Sequence, residues 1–405
     1  MSNYEVGAKA PISIRKRKVA LTLPTLTPRE SLQDKGRFSV SKVPSPAPNS
    51  IHSPPQKRPG HHRANTLSGG FPFRPAASLK LFPSTVLPAL LHSPSEAHWA
   101  LPKSNLSEVF VASQQGSIRG KPKRENQDSY AVLKGFMGER DSLFVMVCDG
   151  HGENGHLISR YITMNLPGKM NQFRLDLHRD AEDSLKEAFI SEVMNLHCMV
   201  ISRREVSAEY SGSTLVATVL RANSLLCANL GDSRAVLIYT DRGRWYPKQL
   251  TVDHKPDSPR ERERIEANFG RVEPMKGLEG ESLGPARVWL LSEEVPGLAM
   301  SRSIGDTVAH SVGVSETPEI SVHCILPEDK AIVLASDGLW DAVTNEAATE
   351  VVSRHFMKGT MSACGKELVR LAEQQWRCKG ESVDDITVAV VALAHQSGEF
   401  TRTVS

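Results

Sequence analysis

Two apolar runs in this chain end in the same way, and a third begins as they end. Phe144-Val145-Met146-Val147-Cys148 stops at Asp149, followed by Gly150, His151 and Gly152. Ala331-Ile332-Val333-Leu334-Ala335-Ser336 stops at Asp337 and Gly338, and Asp384-Asp385 opens the run 386–391. Runs of this kind read as buried strands, so their ends deliver carboxylates and an imidazole to the rim of a sheet. Gly150 lets the backbone bring its carbonyl close to an ion, and Gly152 lets the chain turn away. Asp149 is a hard oxygen ligand, and His151 titrates near neutral pH. Any one of these Asp residues alone is more often a turn former or a helix cap. Three at three strand ends repel one another strongly unless a cation holds them together. Oxygen donors without cysteine suit Mg²⁺ or Mn²⁺ over Zn²⁺.

Just upstream, Lys123-Arg124-Glu125-Asn126-Gln127-Asp128 sets cations beside amide and acid groups. Arg offers a planar fork to a phosphate dianion and Lys a point charge. Either Lys123 or Arg124 could hold a phosphate, and plain surface charge is the simpler alternative for both. A carboxylate-bound metal pair beside a cation is the apparatus for phosphate-ester hydrolysis. One ion makes hydroxide from a bound water, and both screen the in-line transition state.

Charge is divided along the 405 residues. The net value of +3 splits into about +11 over 1–104 and about −8 over the remainder. An acidic body is a poor nucleic-acid binder and a good collector of divalent cations. The six cysteines are far apart with no Cys-x-x-Cys pair, which argues against zinc and against a disulfide frame and points to a reducing intracellular setting, cytoplasm or nucleus. No apolar run approaches the ~20 residues of a membrane span.

The elements that must position the acids follow from periodicity. Strands are expected at 108–115, 128–133, 214–220, 224–229, 235–239, 320–326, 331–336 and 386–393, besides the Asp149 run. Helices are expected at 155–166, 181–207, 259–268, 346–356 and 362–378. The second of these places Leu185, Phe189, Val193, Leu196 and Val200 on one face. The stretch 272–297 lacks a pattern and is too long for a plain connector, so it reads as a lid or insertion. Helices in pairs between runs of neighbouring strands favour an α+β arrangement of antiparallel sheets layered with helices. Residues 1–104 are rich in Pro and Ser and predicted to be a mostly disordered tail, 105–396 the folded domain, and 397–405 a short C-terminal tail. Arg15-Lys16-Arg17-Lys18 could serve nuclear import, an anionic surface or a partner, with ordinary solvated charge at least as good a reading.

At this point a resemblance becomes specific. The Lys123-to-Asp128 segment, Asp149-Gly150-His151-Gly152, Ser211-Gly212-Ser213-Thr214, Gly231-Asp232-Ser233-Arg234, Asp253-His254-Lys255-Pro256, Met300-Ser301-Arg302-Ser303-Ile304-Gly305-Asp306, Asp337-Gly338-Leu339-Trp340-Asp341 and Asp384-Asp385-Ile386-Thr387 stand in the order found in the protein phosphatase 2C family. The chain resembles that family over about 106–396. The resemblance implies a four-layer α-β-β-α sandwich. It also implies hydrolysis of phosphoserine and phosphothreonine in phosphoprotein substrates by a metal-bound hydroxide at a binuclear Mg²⁺ or Mn²⁺ centre. By the same resemblance Asp149 looks like the bridging ligand and Gly150 a carbonyl ligand, with Asp337 and Asp384 ligands of the second ion. Asp232 resembles the site of a weaker third ion, Asp128 the acid that orients water, and His151 the general acid. The chain departs from the common pattern in having Lys123 for Arg, Gln127 for Glu and Asp385 for Asn; 272–297 falls where the family carries a variable flap. A catalytically dead relative would have lost one of the metal carboxylates, and all three are present.

Overall fold

The computed structural model describes residues 96–99 (backbone only), 108–173, 181–380 and 382–393. The expected C-terminal tail, the basic cluster 15–18 and nearly all of the expected N-terminal tail lie outside the described residues.

Two antiparallel sheets form the centre. The first is six-stranded, in the order Glu96–Trp99, Glu108–Gln114, Ile386–Ala392, Asp329–Ala335, Arg234–Asp241, Arg244–Gln249. The second is seven-stranded and built on Leu143–His151, which pairs with Asp128–Lys134 on one side and with Leu215–Arg221 on the other. Ser224–Leu230 and Glu319–Cys324 continue it outward. Side chains that alternate along each strand separate two apolar layers. Val109, Val111, Val145, Val147, Ile332, Leu334 and Ala389 fill the space between the sheets. Their neighbours Phe110, Ala112, Val333, Val388 and Val390 meet the helices Asn345–Lys358 and Cys364–Lys379 through Val351, Val352, Leu368 and Val369. On the far side Phe144, Met146 and Cys148 meet the helices Gly155–Gln172 and Ala181–Ile201. These strands are apolar on both faces because both faces are covered, which gives the expected four layers.

Differences from the sequence reading have local causes. The helix expected to stop at residue 166 runs on as Gly155–Gln172 with Pro167 inside it, since burial of Leu166, Pro167 and Met170 outweighs the lost backbone donor. The next helix ends at Ile201, short of 207. Stretch 272–297 is not irregular. It contains most of a three-stranded antiparallel sheet, Gly270–Lys276, Ser282–Leu290 and Pro296–Leu298, with its own small core of Ile265, Val272, Val288, Leu298, Met300 and Val312. The strand Arg244–Gln249 was not expected, being polar and at an edge. Glu96–Trp99 pairs with the body through Trp99 opposite Val109, so the ladder begins inside the segment read as tail.

Phe144 is fully buried between Phe136 and Phe189, with ring centroids at 5.4 and 6.0 Å. Phe144→Ala should lower unfolding free energy by about 3–5 kcal/mol in a denaturant titration; a loss below about 1 kcal/mol would contradict this packing.

Candidate active site

The acids meet because hydrogen bonds tie the ends of the two sheets together. Ser336, the last residue before Asp337, is tied to the first sheet by Thr387, whose carbonyl accepts from the Ser336 N–H and whose N–H donates to Ser336 Oγ. Its hydroxyl donates to Asp128 Oδ2 in the second sheet, at 2.7 Å. Asp128 sits directly opposite Asp149 in the ladder. The Asp149 N–H donates to Thr214 Oγ1 (3.0 Å), and that hydroxyl pairs with Ser233 Oγ (2.7 Å), the neighbour of Asp232. Asp385 is buried and accepts from the backbone N–H groups of Gly116 and Gln127 at 2.6 and 3.1 Å, which fixes Asp384 beside it.

Gly150 is packed so closely that a Cβ would collide with the carbonyl of Gly155 and lie 2.7 Å from that of Gln127. Gly152 has φ of +78° and turns the chain into the Gly155–Gln172 helix. Gln127 is tied down by its side chain, whose Nε2 donates to the Gly152 carbonyl at 2.6 Å.

The carboxylates feel one another's charge. Burial, then the charges of Asp128, Asp337, Asp384 and Asp232, push the Asp149 carboxyl well above the usual range. Asp337 is raised in the same direction by burial and by Asp232, Asp384 and Asp341. Asp128 is pushed to about 7, chiefly by burial and then by Asp385.

Two lysines answer this negative charge. Lys123 Nζ pairs with Asp384 and lies 3.3 Å from Asp385; burial opposes its charge, but the two acids outweigh burial and raise its pKa. Lys255 Nζ is 2.6 Å from Asp232 Oδ2. Arg124 by contrast is exposed. Of the two candidate phosphate cations, then, Lys123 is the one that reaches the acid cluster. His151 Nε2 lies 2.7 Å from Asp306 Oδ2, and its Nδ1 is buried without a partner.

Among the described residues no three Asp, Glu, His or Cys side chains are drawn into a ready-made metal cage. The donor set nevertheless fits a hard divalent ion. It is all oxygen, several of its acids are held near one another against their repulsion, and the buried Oδ1 atoms of Asp128 and Asp232 have no hydrogen-bond partner.

Three residues received no role from the sequence. Asp341 follows Asp337 by one helical turn and adds to the same acidic field. Lys255 and Asp306 lie in recognised segments, but nothing in their spacing showed that one would face Asp232 and the other His151.

The model of the family described as protein phosphatase 2C matches residues 118–379. The chain belongs to the protein phosphatase 2C family. It is similar to probable protein phosphatase 2C 72 of Arabidopsis thaliana, 38% identical over 289 residues that cover 69% of this chain and 85% of that protein. It is also 33% identical to probable protein phosphatase 2C 73 of the same plant, over 73% of this chain and 80% of the relative. The fold is shared with a crystal structure of serine-threonine phosphatase 2C from Toxoplasma gondii. There the TM-score is 0.59 at 24% identity, over 74% of this chain and 99% of the other. As a protein phosphatase 2C the chain is a serine/threonine protein phosphatase, a hydrolase that acts on phosphoproteins, and metal dependence is general to its family. Among the described residues no helix is long and apolar enough to cross a membrane.

A carboxyl whose folded pKa lies above its unfolded value contributes stability at low pH that is lost as pH rises through the folded value. In EDTA the wild-type protein should therefore lose stability as pH rises from about 4 towards 8. Asp337→Asn should melt higher than wild type at pH 8 in EDTA, with the advantage shrinking at pH 5. Equal melting points at pH 8 would show that Asp337 carries no repulsion.

Proposed function

We propose that this phosphatase works through a binuclear Mg²⁺ or Mn²⁺ centre held by Asp149, the Gly150 carbonyl, Asp337 and Asp384, with a weaker third ion at Asp232. The observation that supports this most directly is that Asp149 and Asp337 arrive from different sheets and interact, the Asp337 charge raising the Asp149 carboxyl and a hydrogen bond from Asp149 acting on Asp337. When bound, such ions activate water as a nucleophile and screen the charge of the phosphoryl group.

The protein's own groups do the rest. Asp128, fixed by Ser336 and with its other oxygen unpartnered, accepts a hydrogen bond from water and orients it for in-line attack. Lys123 sits at the edge of the acid cluster, and its ammonium binds phosphate oxygens as a point charge. Gln127 replaces the Glu common in the family with a neutral amide already committed to the Gly152 carbonyl. His151 protonates the departing serine or threonine oxygen, because an alkoxide leaves poorly without a proton. The domain that carries this chemistry is taken as 105–396, joined by the strand Glu96–Trp99 that pairs with it.

Assay of the purified chain on a phosphothreonine peptide should show activity with added Mn²⁺ and none in EDTA. Asp149→Ala and Asp337→Ala should each abolish it while retaining the wild-type circular dichroism spectrum. Near-normal turnover in either variant would overturn the metal assignment. His151→Ala should slow the peptide by about 10²-fold or more and p-nitrophenyl phosphate far less, since an aryl oxide leaves without a proton. Equal losses on the two substrates would remove His151 from the role of acid.

A further inference from the structure

The end of the strand Leu143–His151 and two short strands, Gly212–Ser213 and Ile304–Gly305, lie side by side at the edge of the active site. His151 pairs with Gly212, and Gly212 in turn pairs with Gly305, the residue before Asp306. A side chain on the middle strand would block any contact between the outer two. Gly212 has none, and a Cβ built there would collide with the Asp306 carboxylate. Through that gap Asp306 Oδ2 reaches His151 Nε2 at 2.7 Å.

Asp306 is held for this purpose by everything around it. It is buried at 2% exposure and adopts a left-handed conformation with φ of +47°, an arrangement that costs energy for a residue other than glycine. Ser303 Oγ donates to the same Oδ2 at 2.5 Å. The Asp306 N–H donates to the Ser211 carbonyl at 3.0 Å, and its own carbonyl accepts from the His310 N–H. The segment that carries Ser303 and Asp306 is clamped at its start by buried Glu261, which accepts from Ser301 Oγ (2.6 Å) and Arg302 Nη2 (2.7 Å). Arg264 completes the clamp, with Nη2 at 2.6 Å from Glu261 and 2.8 Å from the Ser301 carbonyl.

We propose that Asp306 is the positioning residue for His151, fixing its ring through Nε2 and so setting the tautomer and orientation in which it meets the leaving group. A carboxylate on one ring nitrogen sets which tautomer and which orientation the other nitrogen presents. The hydrogen bonds of Asp306 go to His151, Ser303, Ser211 and His310, and it acts on the reaction through His151. The proposal rests on the general-acid reading of His151, and its test separates the two.

Asn tolerates the left-handed conformation as well as Asp does, so Asp306→Asn preserves the backbone while removing the carboxylate. With Mn²⁺ saturating, this variant should lower kcat on a phosphothreonine peptide by about tenfold or more, leave KM unchanged, and lower kcat on p-nitrophenyl phosphate by less than about threefold. In a His151→Ala background the same change should cost nothing further, because both act through one proton transfer. If Asp306→Asn slows both substrates equally, or adds its full effect to His151→Ala, Asp306 has a structural role only and the proposal fails. If His151→Ala itself shows no preference between the substrates, the general-acid reading fails first. A selective His151 effect without a selective Asp306 effect overturns the positioning role alone.

Discussion

The site depends on one constraint: carboxylates that repel each other must be kept together by a frame stiff enough not to let them part. Asp149 and Asp337 end strands whose preceding residues are fully buried, among them Val145, Val147, Val333 and Leu334. Each such side chain is worth roughly 1.5–3 kcal/mol of apolar burial. The repulsion is thus set against an apolar sandwich that cannot splay at one end without exposing its interior. The hydroxyls of Ser336, Thr214 and Ser233 add direction to that frame. They join the sheet ends without contributing charge, so they bring acids near each other without neutralising them. Lys123 and Lys255 are the counterweight, each on the rim of the cluster with only its ammonium directed at an acid.

How much of this could be read from the sequence follows from which interactions are local. A strand that ends in Asp-Gly is a local pattern, so Asp149 and Asp337 were legible, and so was the two-sided burial that makes their strands continuously apolar. The amphipathic face of Leu185, Phe189, Val193, Leu196 and Val200 was legible for the same reason, and all five are buried. The three-stranded sheet at Gly270–Leu298 was not. Pro274, Gly277, Gly280, Gly284, Pro285 and Pro296 interrupt its alternation, and its long central strand is exposed over its first half, so period-two patterning never builds up. Pro167 follows the expected helix end at residue 166, yet the packing of its neighbours carries the helix past it.

Side-chain partners were the least legible layer. Whether Lys123 or Arg124 enters the acid cluster depends on a one-residue difference in direction in the segment between Pro122 and Asp128, which composition cannot reveal. Asp385 stands where the family commonly has Asn, and its carboxylate accepts from backbone N–H groups of Gly116 and Gln127, which makes it an anchor for the segment leading to Asp128. Asp306 depends on three strands in register and on an absent side chain at Gly212, a relation among residues 151, 212 and 306 that no window of sequence contains.

The insertion between the core strands has two ends with different physical consequences. At its far end Leu278 and Leu283 are exposed, so changes there meet solvent and leave the core untouched. At its root the helix Pro259–Ala267 buries Glu261 among Arg264, Arg302 and Ser301, whose hydrogen bonds hold its carboxyl below the ordinary range despite burial. Removing one member of a buried ion network strands the charge of the others and is costly. The displaced segment would be the one leading through Ser303 to Asp306, two groups that meet at a single carboxylate oxygen with His151. The insertion can therefore vary in shape at its tip while its root stays tied to the geometry around His151, and Glu261 is the residue at which these two requirements part.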